Sequence, residues 1–145
     1  MSIKLKTAIE YLSQAGGVRL VEANNLGAVE QTGHFGLGRP KGDLYILVEA
    51  EGATKNDTEC MLVDAVASEY ERASGSITAS LRQAVAAANR RLYNANQKAL
   101  PDMRMTAGAS CAVIREGDLF LAQAGPALAY VLHQDALQRA PADSP

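Results

Sequence analysis

The sequence predicts an α+β layered domain. Two consecutive helical stretches occupy its middle, strand-like runs lie on either side of them, and the last runs are separated by turn-sized gaps. Because the helices follow one another instead of alternating with strands, a doubly wound α/β arrangement is disfavoured.

Each element has its own reason. Residues 18–25, VRLVEANN, have strand character. A loose connection follows over 26–42, punctuated by Gly27, Gly33, Gly36, Gly38, Pro40 and Gly42. Asp43 to Ala50 is rich in β-branched and aromatic residues and nearly continuous in apolar character, the pattern of a strand buried on both faces. Asn56-Asp57-Thr58-Glu59 has the form of a capping box. Behind it Cys60, Val63, Ala67 and Tyr70 recur at helical spacing. Ser74-Gly75-Ser76 breaks the chain and offers a second cap. Ile77, Leu81, Val85, Ala88, Leu92 and Ala95 then form one stripe, from which Arg82, Asn89, Arg90 and Asn94 fall away. This helix runs to about Ala99, because Pro101 disfavours helical geometry at Leu100. Thr106–Arg115, Asp118–Ala124, Ala127–His133 and Ala136–Gln138 read as an antiparallel meander turning at Glu116-Gly117 and Gln134-Asp135.

Size and composition bound the function. The 145 residues suit a single domain with its core over 18–138, residues 139–145 reading as a linker or cut end. A chain of this size hides roughly 70% of its unfolded surface. A net charge of -2 gives no electrostatic footprint for nucleic acid or an anionic membrane. No apolar run is long enough to span a bilayer, and the N-terminus has two lysines without the apolar core of a signal peptide. Cys60 and Cys111 sit in apolar runs and read as small core residues, not a zinc site or a disulfide, which points to a reducing cytoplasm.

Four short motifs, taken with the order of elements, carry a resemblance. They are Ala87-Ala88-Asn89-Arg90-Arg91-Leu92 in the second helix, Met105-Thr106-Ala107-Gly108-Ala109-Ser110 at a strand entry, Asp118 to Gly125 along the next strand, and Gly125-Pro126-Ala127-Leu128-Ala129-Tyr130 after it. From about Val18 to Ser144 the chain resembles the N-terminal half of the metal-dependent protein phosphatases of type 2C. The resemblance implies a β-sandwich flanked by two antiparallel helices, in abbreviated form, and a prokaryotic signalling setting.

The departures fall where the chemistry of that family lies. Its Gly-Asp-Ser-Arg is matched by Gly125 followed by Pro126, Ala127 and Leu128, and neither Pro nor Ala offers a side-chain oxygen. Its first strand carries Arg and then Asn-Glu-Asp; of that motif Val21 to Leu26 (VEANNL) keeps only one Asn. Its second strand ends in Asp-Gly, where this chain has Val48-Glu49-Ala50-Glu51-Gly52. Either Ala50 or Glu51 stands for the Asp, and the two registers direct opposite side chains into the site. The family's later metal-binding aspartates have no counterpart in these residues.

The reaction of the family needs two hard dications, Mg²⁺ or Mn²⁺, held by several carboxylates, with an Arg fork on the phosphate. The candidate ligands here are Glu49 and Glu51, which share a strand face, and Glu22 on the neighbouring strand; Arg19 is the candidate phosphate contact. Glu49 and Glu51 also read simply as solvated residues at a strand end, and Arg19 as a surface residue with its stem packed down. His34 and His133 lack metal-ligand spacing. The segment Gly33 to Gly38 lacks the strand–loop–helix context of a phosphate cradle, and Ser110 beside Cys111 lacks a nearby His.

The expectation is therefore a catalytically degenerate phosphatase-like domain without cofactor, which regulates or binds a protein partner. Two rivals stand beside it. One is a divergent Mg²⁺- or Mn²⁺-dependent phosphoprotein phosphatase, completed by further residues or a second chain. The other is a small α+β assembly domain unrelated to phosphatases, which pairs with its own copy to cover sheet edges and apolar faces.

Overall fold

The computed structural model describes residues 7–21, 23–30 and 41–140. The strands are β1 (Gln14–Ala15), β2 (Val18–Arg19), β3 (Leu26–Val29), β4 (Asp43–Glu51), β5 (Thr106–Arg115), β6 (Asp118–Ala124), β7 (Ala129–His133) and β8 (Ala136–Ala140), and the helices are α1 (Lys55–Arg72) and α2 (Ile77–Lys98). Among the described residues the strands form one antiparallel four-stranded sheet, β3-β4-β5-β6, and two separate hairpins, β1-β2 and β7-β8. The class is α+β, as the element order predicts. The strands after α2 do not make one continuous meander, because the chain leaves the sheet at Gly125-Pro126, and proline has no N–H to donate to a ladder.

Local chemistry explains the connections. Residues 16–17, 116–117 and 134–135 all have positive φ, as the tight turn of a two-residue hairpin requires. Ser76 caps α2 by accepting a hydrogen bond from Ala79 N at 3.2 Å, and α2 ends at Lys98, just ahead of Pro101. The capping box expected at Asn56 does not form. Thr54 is the N-cap of α1, without a side-chain capping hydrogen bond, and Asn56 lies inside the first turn. At the other end of α1 the Lys41 ammonium donates to the carbonyls of Tyr70, Glu71 and Ala73 and stands 4.8 Å from the Tyr70 ring centroid. Tyr70 Oη donates back to Lys41 O at 3.2 Å. A cation over the last helical carbonyls is where the helix dipole favours one.

Both helices cover one face of the sheet, α1 over β3 and β4 and α2 over β5 and β6. That face carries Leu44, Ile46, Val48, Cys111 and Val113, which meet Leu62, Val66, Tyr70 and Leu81 from the helices. Each of the aliphatic side chains contributes about 1.5–3 kcal/mol on burial. Ala84 and Ala88 are small enough to keep α2 close to its neighbours. Strand β4 is buried on one face only, its residues alternating between buried and partly or fully exposed, which corrects the reading of a strand covered on both sides. Its outer face carries Tyr45, Leu47, Glu49 and Glu51. Cys60 is exposed on α1, against expectation, whereas Cys111 is 1% exposed.

Strand β3 falls inside the stretch expected to be a loose connection, and the described residues of 18–25 hold only two strand residues, Val18 and Arg19. The pairing that makes β3 a strand is long-range: Leu26, Gly27, Ala28 and Val29 register with Leu47, Ile46, Tyr45 and Leu44. Gly27 is required there, since a Cβ would lie 2.5 Å from the Val63 Cγ1 of α1. Residues 31–40, with His34 and the glycine-rich run around it, lie outside the described residues, as do Glu22 and the tail from 141.

Candidate functional site

The outer end of β4 and the turn after β6 are the two places where the sequence puts candidate chemistry. Ala50 faces the helices and is buried, so Glu49 and Glu51 project from the opposite face. They register with Gly108 and Thr106 of β5 and are both exposed. Arg19 lies on the β1-β2 hairpin, in a pocket of about 430 Å³ that it shares with Tyr11, Ser13, Leu20, Val21 and Leu26. Neither glutamate lines that pocket. Glu22 lies outside the described residues.

A pair of Mg²⁺ or Mn²⁺ ions needs several oxygen donors converging on one point. Among the described residues no three His, Cys, Asp or Glu side chains converge. Glu49 and Glu51 stand exposed at a strand end and line no part of the Arg19 pocket. Glu49 and Glu51 by themselves supply too few donors for two hard dications. Ser110 and Cys111 do not make a nucleophilic pair. The Ser110 hydroxyl accepts from Gln123 Nε2 at 3.2 Å on the outer face, and the Cys111 thiol is on the helix face, pushed up to about 12 by burial. His133 is exposed at the end of β7.

The turn after β6 is occupied by packing. Residues 125–128 fold back over the outer face of β5, where Ala127 is 6% exposed. Gly108 lies directly beneath: a Cβ on it would stand 2.8 Å from Ala127 N and 3.0 Å from Pro126 Cδ. Gln123 holds the turn down, its Nε2 donating to Ala127 O at 3.2 Å as well as to Ser110.

Three polar side chains outside the expected set organise the same region. Val48 N donates to Asn25 O at 2.8 Å, just before β3 begins, so the next N–H on that side, Ala50 N, has no strand to meet. Glu59 Oε1 accepts it at 3.1 Å from α1. Glu59 is only 4% exposed, with Lys55 Nζ 3.8 Å from its carboxylate. Asn96 does a similar service for Met105 at the start of β5, and Gln123 for the turn. In the sequence Glu59 is marked only as part of a capping-box pattern, and nothing marks Asn96 or Gln123. Which backbone group each one meets is a long-range matter.

A separate groove runs between α2 and the edge strand β6. It has a volume of about 440 Å³ and an apolar floor of Leu81, Val85, Ala122 and Ala124, with Arg82 and Asn89 along the helix. Arg82 is exposed and makes no hydrogen bond or ion pair with any described residue.

No helix among the described residues is long and apolar enough to cross a membrane. Compared with known proteins, the chain matches no protein-family model and no curated protein sequence.

Proposed function

We propose that this chain is a non-catalytic, type 2C phosphatase-like domain that works by binding a protein partner in a signalling setting. The resemblance of element order supports the fold half of this reading, and fold alone says nothing about activity. The observation that carries the functional half is the turn after β6. The residues standing in place of an oxygen-rich motif, Pro126 and Ala127, are packed onto Gly108 and clamped by Gln123. The side chains of Pro126 and Ala127 carry no oxygen for a cation, and the Ala127 carbonyl already accepts from Gln123. Nor does the end of β4 offer enough oxygens, since Glu49 and Glu51 have no third acidic partner among the described residues.

The test is turnover. The purified protein is incubated with Mn²⁺ and an aryl phosphate or a phosphopeptide, beside a Glu49→Ala/Glu51→Ala double variant. The expected result is no hydrolysis above the double variant. Clear hydrolysis by the natural chain that the variant loses overturns the reading.

A further inference from the structure

We propose that the edge of β6 that no described strand covers, with the groove beneath α2, is the docking site for an extended, acidic peptide segment of a partner protein, which adds to the sheet as a fifth strand. The proposal rests on the interaction-module reading and supplies its binding edge.

Three observations converge on it. First, β6 pairs only with β5 among the described residues, so alternate N–H and C=O groups along it point away from the sheet. Proteins blunt such edges with charge, proline, bulges or short length. Residues 119–124, Leu-Phe-Leu-Ala-Gln-Ala, have no charge and no proline, and they pair with β5 in unbroken register. Second, the edge opens onto a groove that accepts side chains. An added strand points alternate residues toward the helix layer, and there they meet the apolar floor of the 440 Å³ groove. Third, the charge is of one sign. Helix α2 carries Arg82, Arg90, Arg91 and Lys98 and no acidic residue, and Arg82 lines the groove without a partner among the described residues.

Charge also selects the occupant. A second copy joined antiparallel through β6 would bring two copies of α2 to the same side of the extended sheet, basic helix against basic helix. Like-charge juxtaposition of this kind disfavours a partner. An extended segment with apolar residues at alternate positions and a carboxylate near Arg82 satisfies the strand edge, the groove and the charge together, in the manner of β-strand addition.

The full chain is titrated with labelled peptides in which one face presents Leu, Val and Glu in succession, in either order, with threonines between. Fluorescence anisotropy reads binding. One order is expected to bind saturably, and its lysine counterpart roughly tenfold more weakly. Arg82→Glu, an exposed substitution, should reverse that preference. N-methylation of one set of alternate peptide amides should abolish binding, whereas methylation of the other set should leave it. The proposal is overturned by the absence of saturable binding in both orders, by indifference to Arg82→Glu, or by indifference to both methylation patterns. A dimer in sedimentation that these peptides dissociate also overturns it, and makes the second copy the occupant. Failure here without phosphatase turnover removes this edge and leaves the non-catalytic reading intact. Turnover with peptide binding does the reverse.

Discussion

The side chain of Asn96 pairs with both backbone polar groups of Met105: its Nδ2 donates to Met105 O at 2.8 Å, and its Oδ1 accepts from Met105 N at 2.9 Å. One amide thus plays the part of a strand neighbour and ties the end of α2 to the entry of β5. Asn96→Ala breaks both bonds and should lower stability by about 2 kcal/mol, seen as a lower urea midpoint with an unchanged slope. Asn96→Asp keeps the acceptor and loses the donor, so it should fall between the two. A variant as stable as the natural chain would show that water replaces the pair without loss.

Glu59 completes the edge of β4 by accepting from Ala50 N. Glu59→Ala leaves that N–H without its partner and should cost about 1–3 kcal/mol. Glu59→Gln retains an acceptor and should cost less. Amide exchange at Ala50 reports the loss directly and should quicken in the alanine variant beyond what the change in global stability explains.

Gly108 and Ala127 are in contact across the outer face of the sheet. Gly108→Ala places a methyl group against backbone atoms of the turn, which cannot rotate away as a side-chain end would. The expected outcome is a loss of about 1–3 kcal/mol, with faster amide exchange concentrated at residues 125–128. Unchanged exchange in that segment would mean that the turn is not seated on β5 in solution.

Ser80 is fully buried on α2, and its hydroxyl has no hydrogen-bond partner among the described residues. Ser80→Ala removes an uncompensated polar group and places the best helix former at a helical position. It should raise stability by roughly 1 kcal/mol, measured as an increase in Tm. A decrease would indicate that the hydroxyl is hydrogen-bonded in solution.

Burial pushes both the Cys111 thiol and the Tyr70 hydroxyl up to about 12. Both folded values lie above the ordinary ones of 9.0 and 10.0, so the fold favours the neutral forms. Their contribution is complete below the ordinary values and is lost as pH rises through them toward the folded ones. Lys41, whose pKa burial lowers, works in the opposite direction. Thermal stability should therefore fall above about pH 9, and Cys111→Ala should flatten the early part of that fall. An equal slope with and without the thiol would remove Cys111 from the account.

Local signals made much of the fold legible. Glu116-Gly117 marks the turn between β5 and β6, Ser76 and Pro101 bracket α2, and the stripe from Ile77 to Leu92 lies toward the core. The capping box at Asn56 was a local pattern that failed, since Thr54 opens the helix and Glu59 serves Ala50 instead. Strand β3 carried no local mark, because its pairing with β4 joins residues far apart in sequence. For the candidate site, the sequence named Glu49, Glu51 and Arg19 but did not show that neither glutamate lines the Arg19 pocket, and it held no sign that Gln123 clamps the following turn.

By itself, then, the sequence determined the helices, the tight turns and the α+β order, since periodicity, caps and positive-φ residues act within a few positions of one another. Only the tertiary structure decided which face of β4 meets water, which backbone groups Glu59, Asn96 and Gln123 satisfy, and that β6, beside a basic helix, pairs on one side alone among the described residues. Those outcomes depend on contacts between elements distant in the chain, and no local pattern encodes what lies across a fold.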